Sequence, residues 1–565
     1  MTEQSSTHTS TESTPIPYAD LATDAGTGGD ILVELMREQG VDVAFGVISI
    51  HNLPLVEAVD QDLRFVPVRH EASAINAADG YARATGCIGV AITSTGTGAG
   101  NAAGAMLEAL TAQSRVLHVT GNIESAVLGE ERGVYHEVPR QLDMLEAVSA
   151  HALRIETARG SRDALTRAVR LLSAPPHGPV SVDWPIDLQY TADPTAQNKV
   201  GGTDPAPRTG ARRDIERAAR VLRAAHRPLI WAGGGSRRVG PALTEFAQAW
   251  GAGVLCGANG RGAVAEDHPL YIGNFAADEA LAQLVTDADC LLTVGSHLRG
   301  HETDNFELPL PATHVQIDVD ADALGRNFEV TVGLHADATV VVPALLSELG
   351  KVETDDGWAH RVRTAADAAR AGHREEIGAY AQVCDSMRAR LPRDAPIVRD
   401  VTIPGSSWGN RLLEVYDPTT NVFAAGGGIG QGLGMAIGTG VAKPDTPTLA
   451  IIGDGGLQVH LGELCTLAEQ RPHVIVALFN DGGYGVLRNL QDAKDSPRRA
   501  VDLATPDHAL LARSLGLDHE LVTDTDGFDR ALAEAVQRRS PTLIEIDVAS
   551  LLPRPEPMVP PVNVP

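Results

Sequence analysis

Short apolar runs alternate with helix-like segments along almost the whole chain, and this alternation constrains the fold more than any other feature. Examples are IGVAITS and RVLHVTG in residues 26–190, PLIWAGGG and DCLLTVG in residues 214–350, and TLAIIGDGG and HVIVALFNDGG in residues 376–550. Such runs are typical of buried strands, and strands that alternate with helices form parallel sheets covered by helices. The sequence therefore predicts an α/β fold of three consecutive doubly wound parallel-sheet domains.

The segments between and around these blocks have the composition of linkers and tails. Residues 191–213, rich in Pro, Gly, Thr and Asp, and residues 351–375 separate the blocks. Residues 1–25 are polar and rich in Ser and Thr, which predicts a disordered tail and not a signal peptide. The Pro-rich residues 551–565 indicate a second, extended tail.

The composition excludes several classes of function. The net charge is −27 and no concentrated basic stripe is present, which argues against a protein that binds nucleic acid. Since the sequence has no run of about 18 apolar residues, no membrane-spanning helix is expected. The five cysteines are scattered and lack metal-ligand spacing, which indicates a reduced, cytoplasmic protein.

Acidic residues among glycines follow two apolar runs in the third block. Asp454 lies in IIGDGG and Asp481 in LFNDGG. A glycine turn between a strand and a helix directs backbone N–H groups towards a site where phosphate binds favourably. Because a bare diphosphate would repel Asp454, we expect a divalent cation such as Mg²⁺ to bridge the two. A pair of tight turns is the alternative interpretation.

The two motifs together resemble the cofactor motif of thiamine-diphosphate-dependent enzymes, in which GDG is followed at a fixed distance by Asn-Asn. Asp454 and Asp481 are 27 residues apart, the spacing at which this family places its two side-chain Mg²⁺ ligands. The resemblance implies that the carbonyl of Gly483 is the third ligand and that Asp481 stands where the family usually has asparagine. It also implies cofactor contacts from Gly455, Gly456 and Thr402.

Two further segments resemble this family. VPVRHEASAINAADGYARATG is similar to its glutamate motif and places Glu71 beside the pyrimidine ring of the cofactor, where it would promote loss of the thiazolium C2 proton. NVFAAGGGIGQG resembles the segment under the cofactor, with Ile429 supporting its bent conformation and the carbonyl of Gly427 accepting from its amino group. The alternative for Glu71 is an exposed acid at a helix N-terminus, where acids are favoured anyway.

The resemblance covers nearly the whole chain, which is identified as a member of the group containing acetolactate synthase, benzoylformate decarboxylase and pyruvate oxidase. It implies a pyrimidine-binding domain at 26–190, a central domain at 214–350 and a diphosphate-binding domain at 376–550. In this group the cofactor lies between the first domain of one subunit and the third of another, so a homodimer or homotetramer is expected. Parts of the group also use FAD, so the resemblance makes FAD possible, although the central-domain sequence does not support it.

The same resemblance suggests proton donors and pocket walls. His51 lies in a segment similar to an active-site loop of benzoylformate decarboxylase, and His136 lies where acetolactate synthases usually carry a glutamine. His301 falls within one residue of a decarboxylase's catalytic histidine. Histidine is the natural proton donor near neutral pH, although each of these three has a surface or core position as its alternative. The predicted pocket residues are Ile50, Ser94, Thr95, Val486, Leu487 and Leu490.

These features predict an enzyme that uses thiamine diphosphate and Mg²⁺ to act on a small 2-oxo acid. Decarboxylation to CO₂ and an aldehyde is the preferred interpretation, and a carboligase that forms a hydroxyketone or acetohydroxy acid is the second. A catalytically inactive, cofactor-binding subunit is the third, against which the presence of Glu71 and Asp454 counts. A dinucleotide-dependent dehydrogenase is disfavoured, because AGGGS in the central block is only a partial fingerprint.

Overall fold

The computed structural model describes residues 26–191, 206–352 and 355–560. Within these ranges the chain forms three six-stranded sheets, and the paired strands within each sheet are parallel. The predicted α/β fold of three consecutive sheet domains is confirmed. The tail predicted at 1–25 and much of the linker predicted at 191–213 lie outside the described residues. No helix of the described ranges is long and apolar enough to cross a membrane.

The first domain contains six strands and seven helices. The strands are β1 (Val43–Gly46), β2 (Arg64–Pro67), β3 (Gly89–Thr93), β4 (Val116–Asn122), β5 (His151–Arg154) and β6 (Val180–Pro185). The helices are α1 (Gly28–Glu38), α2 (Leu53–Asp62), α3 (Glu71–Thr85), α4 (Thr97–Thr111), α5 (Gln141–Val148), α6 (Ser161–Ser173) and α7 (Ile186–Tyr190). The strand order is β2-β1-β3-β4-β6-β5. The order reverses between β1 and β3, so the loops after these strands flank a crevice at the carboxyl edge of the sheet.

The central domain has a different strand order. Its strands are β7 (Pro228–Ala232), β8 (Gly253–Cys256), β9 (Tyr271–Gly273), β10 (Cys290–Val294), β11 (His314–Asp318) and β12 (Val332–His335). Its helices are α8 (Arg212–Arg223), α9 (Gly240–Trp250), α10 (Glu279–Asp287), α11 (Ala338–Leu349) and α12 (Asp356–Glu376). The order β9-β8-β7-β10-β11-β12 places the reversal between β7 and β10, as in dinucleotide-binding sheets.

The third domain repeats the strand order of the first. Its strands are β13 (Ile397–Arg399), β14 (Asn421–Phe423), β15 (Thr448–Gly453), β16 (Val474–Asn480), β17 (Asp518–Val522) and β18 (Thr542–Asp547). Its helices are α13 (Tyr380–Arg390), α14 (Ile403–Ser406), α15 (Gly432–Ala442), α16 (Asp454–Val459), α17 (Glu463–Gln470), α18 (Gly485–Ala493), α19 (His508–Leu515) and α20 (Thr525–Arg538). The order is β14-β13-β15-β16-β18-β17, so the crevice lies between β13 and β15.

The segment 351–375 differs from its interpretation as a linker, because most of it belongs to α12. Trp358 and Val362 of this helix are buried in the apolar cluster that covers one face of the central sheet. The indole nitrogen of Trp358 donates a hydrogen bond of 3.0 Å to the carbonyl oxygen of Pro228. The helix therefore packs as part of the central domain, with its charged residues outside.

Helices α3 and α15 join the first domain to the third. Each follows the second strand of its sheet, and glycines let their backbones touch. A Cβ atom on Gly438 would lie 1.9 Å from the carbonyl oxygen of Ala77, and one on Gly80 would lie 2.2 Å from that of Met435. The contact therefore depends on the absence of a side chain at these two positions.

Candidate active site

The three predicted Mg²⁺ ligands come together at the carboxyl edge of the third sheet. The backbone nitrogen of Asp481 donates 3.2 Å to Oδ1 of Asp454, and a Cβ atom on Gly455 would lie 2.9 Å from the carbonyl oxygen of Gly483. Asp454 is 1% exposed, and its Oδ2 has no hydrogen-bond partner among the described residues. Two close carboxylates and a carbonyl oxygen are a donor set that suits Mg²⁺.

The electrostatics of this site also favour a cation. Burial, followed by the neighbouring Asp454 carboxylate, raises the pKa of Asp481 to about 6. The described ranges contain no cluster of three or more His, Cys, Asp or Glu side chains that could hold a metal, so a cation here would need the carbonyl of Gly483 as well as the two carboxylates. A divalent cation between the carboxylates of Asp454 and Asp481 would offset their mutual repulsion.

Arg488 on α18 contacts the same turn. Its Nη1 donates 3.0 Å to the carbonyl oxygen of Asp481 and lies 3.8 Å from Oδ1 of that residue. Its Nε donates 2.8 Å to Oδ1 of Asp502. This guanidinium partly offsets the negative charge that an aspartate, instead of an asparagine, brings to position 481.

The predicted diphosphate contacts line the same crevice. Gly455 and Gly456 lie in the first turn of α16, and a Cβ atom on Gly453 would lie 2.9 Å from Oγ1 of Thr402, which follows β13. A Cβ atom on Gly456 would lie 2.9 Å from Oδ2 of Asp400. The glycines therefore let the start of α16 pack closely against Thr402 and Asp400, which brings the predicted contacts to one place.

Asp400 holds the loop that contains Gly427 and Ile429, a role the sequence analysis missed. Its Oδ1 accepts hydrogen bonds from the backbone nitrogens of Val401, at 2.7 Å, and Gly430, at 3.0 Å. Burial raises the pKa of Asp400 to about 6. The available signal was its position two residues after the apolar pair Ile397 and Val398.

The loop itself presents Gly427 and Ile429 outward. Gly427 has φ +85°, and no heavy atom of the described residues lies within 4 Å of where its Cβ would be. The side chain of Ile429 is 37% exposed although it is large and apolar. Both predicted contacts are thus accessible to a ligand above the loop.

Glu71 is the first residue of α3, and its carboxylate faces the crevice of the first sheet. Oε2 accepts 3.0 Å from Nδ2 of Asn101, and Oε1 lies 2.9 Å from where a Cβ on Gly98 would be. The same Gly98 position lies 2.8 Å from the Cβ atom of Ser94. Glu71 and Ser94 therefore border one space, and Asn101 orients the carboxylate.

The structure brings His51 and His136 together. Their Nδ1 atoms are 3.4 Å apart, and the rings meet edge to face with centroids 5.2 Å apart. His51 is buried, and burial followed by the charge of His136 lowers its pKa. His136 has φ +69°, and its carbonyl oxygen lies 2.7 Å from where a Cβ on Gly96 would be. The pair thus stands beside the loop that contains Ser94.

Thr95 and His301 are placed differently from this group. Thr95 is 1% exposed, and its hydroxyl donates 2.9 Å to Oε1 of Gln141, so of the two neighbouring candidates Ser94 is the one that reaches the crevice. His301 is exposed on a short 3₁₀ turn of the central domain. Within the described ranges its side chain has no recorded hydrogen bond or ion pair, and its catalytic role stays a prediction.

The apolar residues that were predicted to line the substrate pocket are not covered by any helix or strand of the described chain. Ile50 follows β1 and is 63% exposed. Val486, Leu487 and Leu490 lie on α18, a helix with no buried residue. Both surfaces adjoin the predicted site residues, which is the expected position for walls that a ligand or a second subunit covers.

A cavity of about 430 Å³ lies apart from these loops, at the carboxyl edge of the central sheet. It adjoins Gly233–Gly235 after β7, Gly295 after β10, and Arg83 and Arg299. Whether FAD binds to this domain is not tested by the cavity, and the expectation that its sequence does not support FAD stays a prediction.

Comparison with known proteins agrees with this arrangement. Models of the thiamine pyrophosphate (thiamine diphosphate) enzymes match in three parts: the N-terminal TPP binding domain at residues 26–147, the central domain at 215–345 and the C-terminal TPP binding domain at 405–546. The order of the three matches is the order of the three sheets.

Named relatives resemble the chain over most of its length. A probable 2-ketoarginine decarboxylase of Pseudomonas aeruginosa is 29% identical over 526 residues, which cover 92% of this chain and 94% of that protein. Acetolactate synthase isozyme 2 large subunit of Escherichia coli is 27% identical over 541 residues, covering 93% and 96%. A probable acetolactate synthase large subunit of Methanocaldococcus jannaschii is 28% identical over 566 residues, covering 94% and 93%. The chain belongs to the thiamine-diphosphate-dependent enzymes, in the group of acetolactate synthases and 2-ketoarginine decarboxylase, whose chemistry is decarboxylation or carboligation.

Proposed function

We propose that the protein is a thiamine-diphosphate- and Mg²⁺-dependent decarboxylase of a small 2-oxo acid, which it converts to CO₂ and an aldehyde. The observation that carries this proposal is the His51–His136 pair beside Ser94 and Glu71. Decarboxylation ends with delivery of a proton to carbon, and histidines that share a hydrogen bond can deliver one. Thiamine diphosphate, when bound, would supply the electron sink that decarboxylation of a 2-oxo acid requires.

Each group of residues has a separate task in this proposal. Asp454, Asp481 and the carbonyl of Gly483 hold Mg²⁺, while the N–H groups at the start of α16 bind phosphate oxygens. Glu71, oriented by Asn101, hydrogen-bonds the pyrimidine ring and sets its protonation. The contact between the Nδ1 atoms of the two histidines needs one donor and one acceptor, so it holds a single transferable proton.

A carboligase of the acetolactate synthase type is the second candidate, because two of the relatives described above have that name. To distinguish the two, the purified protein is incubated with thiamine diphosphate and Mg²⁺ and given pyruvate, benzoylformate or 2-ketoarginine separately. CO₂ release is measured, and the products are identified by mass spectrometry. A free aldehyde supports the decarboxylase, and a hydroxyketone or acetohydroxy acid supports the carboligase. Cofactor binding without CO₂ from any of these substrates leaves two interpretations, an unusual substrate or the inactive subunit.

We also propose that the active unit is a homodimer or homotetramer. Exposed apolar side chains surround both predicted half-sites. They are Ile48, Ile50, Tyr135 and Val138 in the first domain and Ile429, Val459 and Leu487 in the third. A second copy that covers them would remove these side chains from water. Light scattering of the cofactor-loaded protein tests the proposal, and an active monomer would contradict it.

Substitution of His51 by alanine is expected to slow aldehyde release by about 10²–10⁴-fold, because a positioned proton donor contributes a factor of that size. Release of CO₂ in a single turnover should change less, since it precedes protonation. Single-turnover CO₂ measurement and steady-state aldehyde production separate the two steps. His151→Ala, at the exposed first residue of edge strand β5 of the same sheet, is the control and should leave both unchanged. Equal aldehyde rates for the two variants would remove His51 from the mechanism.

Substitution of Asp481 by asparagine is expected to preserve Mg²⁺-dependent cofactor binding. The amide oxygen remains a hard ligand, and one of two repelling charges is lost. Calorimetric titration of thiamine diphosphate, with and without Mg²⁺, measures the effect. Asp526→Asn, at an exposed position of α20, is the control. A complete loss of Mg²⁺-dependent binding only in Asp481→Asn would mean that the alignment of Asp481 with the family's asparagine ligand is wrong.

A further inference from the structure

Glu108, on α4 of the first domain, hydrogen-bonds across the domain boundary to the loop that presents Gly427. Its Oε2 accepts 2.6 Å from the backbone nitrogen of Gly426, and its Oε1 accepts 2.6 Å from that of Gly428. Glu108 is only 4% exposed. One buried carboxylate therefore holds the two N–H groups on either side of Gly427.

The hydrogen bonds from Gly426 and Gly428 to Glu108 are strong because their acceptor is a carboxylate. A hydrogen bond from a backbone N–H to an ionised carboxylate is roughly twice as strong as one between neutral groups. Burial raises the pKa of Glu108, and the bonds from Gly426 and Gly428 oppose that shift because they stabilise the charged form. Asp400, of the third domain, accepts 3.0 Å from the nitrogen of Gly430. Carboxylates from two domains thus fix the loop.

The same helix also sets the position of Glu71. Asn101, which donates to the Glu71 carboxylate, lies seven residues before Glu108. Seven residues are about two turns, so both side chains project from the same face of α4 about 10 Å apart. Helix α4 therefore contacts both the Glu71 carboxylate and the Gly427 loop of the same chain.

A second contact steadies the strand before this loop. Arg83 of α3 donates 2.7 Å from Nη1 to the carbonyl oxygen of Phe423, the last residue of β14. Its guanidinium also lies over the Phe423 ring, 4.9 Å from the centroid. Because β14 is anchored separately, the contacts of Glu108 act on the loop and not on the strand.

We propose that Glu108 is a positioning residue that holds the Gly426–Gly428 loop in the shape that presents the Gly427 carbonyl and the Ile429 side chain to the cofactor. The part of this proposal that concerns the cofactor rests on the proposed function. The hydrogen bonds from Glu108 to the loop, however, are already present in the cofactor-free protein. Glu108 touches neither substrate nor cofactor in this role.

The variant Glu108→Gln tests whether these two hydrogen bonds hold the loop, because it changes the charge of the side chain but hardly its volume. Its NH₂ group would face one of the two N–H donors, so one hydrogen bond is lost and a repulsion replaces it. Amide hydrogen exchange of peptides that cover 424–431 is measured in the cofactor-free protein. We expect exchange about 10-fold faster or more, because bonds to buried charged groups are strong. The affinity for thiamine diphosphate should fall by a similar factor.

Two further variants separate positioning from general stability. Glu266→Gln removes a buried carboxylate that pairs with Arg261 at 2.7 Å in the central domain. It should lower the unfolding midpoint but leave exchange at 424–431 unchanged. Glu108→Asp keeps the charge on a shorter side chain, so it should restore part of the protection and of the cofactor affinity.

The outcomes decide the proposal in either direction. Wild-type exchange at 424–431 in folded Glu108→Gln would overturn it, as would faster exchange of equal size in Glu266→Gln. Faster exchange limited to the Glu108 variants, with weaker cofactor affinity and partial rescue by aspartate, would support it. If the wild-type protein bound no thiamine diphosphate, the proposed function would fail, while the exchange comparison would still decide whether Glu108 holds the loop.

Discussion

Replacement of Glu71 by glutamine is expected to leave a folded protein that binds thiamine diphosphate and Mg²⁺ but turns over about 10²–10⁴-fold more slowly. The amide keeps the size of the side chain and its contact with Asn101, while it loses the charge that interacts with the pyrimidine ring. Affinity is measured by calorimetry and turnover by CO₂ release. Exchange of the C2 proton of the bound cofactor, followed by NMR, reports the affected step directly.

A matched control distinguishes this role from an ordinary helix effect. Glu279 is the first residue of α10, as Glu71 is of α3, and it is exposed. If Glu71 served only to complement the helix dipole, Glu71→Gln and Glu279→Gln would have the same small effect, about 0.3–1 kcal/mol on stability. Full activity in Glu71→Gln would refute its catalytic assignment.

Substitution of Gly438 by alanine is expected to have the largest effect on stability. The new Cβ would lie 1.9 Å from the carbonyl oxygen of Ala77 and 2.5 Å from its carbonyl carbon, and neither atom belongs to a flexible side chain. Helices α3 and α15 must separate, at a cost of about 1–3 kcal/mol or more. The midpoint of thermal unfolding should fall by roughly 2–10 °C. Cofactor affinity should fall as well, because α15 directly follows the Gly427 loop.

Gly372→Ala is the control for this substitution. Gly372 also lies inside a helix, α12, but a Cβ there has no heavy atom of the described residues within 4 Å. The change should be neutral or should stabilise the protein by up to about 1 kcal/mol, since alanine favours helix more than glycine. Equal unfolding midpoints for the two variants would mean that α3 and α15 are not in backbone contact.

The fold was largely predictable because its signals are local. The apolar runs quoted from the sequence became strands, and the three blocks became three sheets. Strand order was not predictable, since it depends on which faces of distant segments pack together; the central sheet differs from its neighbours for this reason. Composition alone was also insufficient for 355–376, where Trp358 and Val362 form the buried stripe of a charged helix.

In the candidate site, too, some residues could be predicted from local motifs and others could not. Asp454 and Glu71 lie in recognisable motifs, and the structure places each in a crevice of its sheet. Glu108 has no local signal, because a glutamate inside a helix normally faces water, and its hydrogen-bond partners lie 318 and 320 residues away. Asp79 and Arg83 have the spacing of a surface ion pair, yet both side chains are almost fully buried. Such contacts arise only when the domains pack.

The shared strand order of the first and third sheets gives their halves of the site a common geometry. Glu71 begins the helix after the second strand of one sheet, and the Gly427 loop precedes the helix after the second strand of the other. An acidic side chain and a bare glycine backbone thus occupy corresponding places in two similar scaffolds. If these two segments were exchanged between the domains, the two sheets and their helices would stay the same. The acidic side chain would then come from the third domain and the glycine loop from the first. The site is therefore asymmetric in its chemistry although its framework is nearly symmetric.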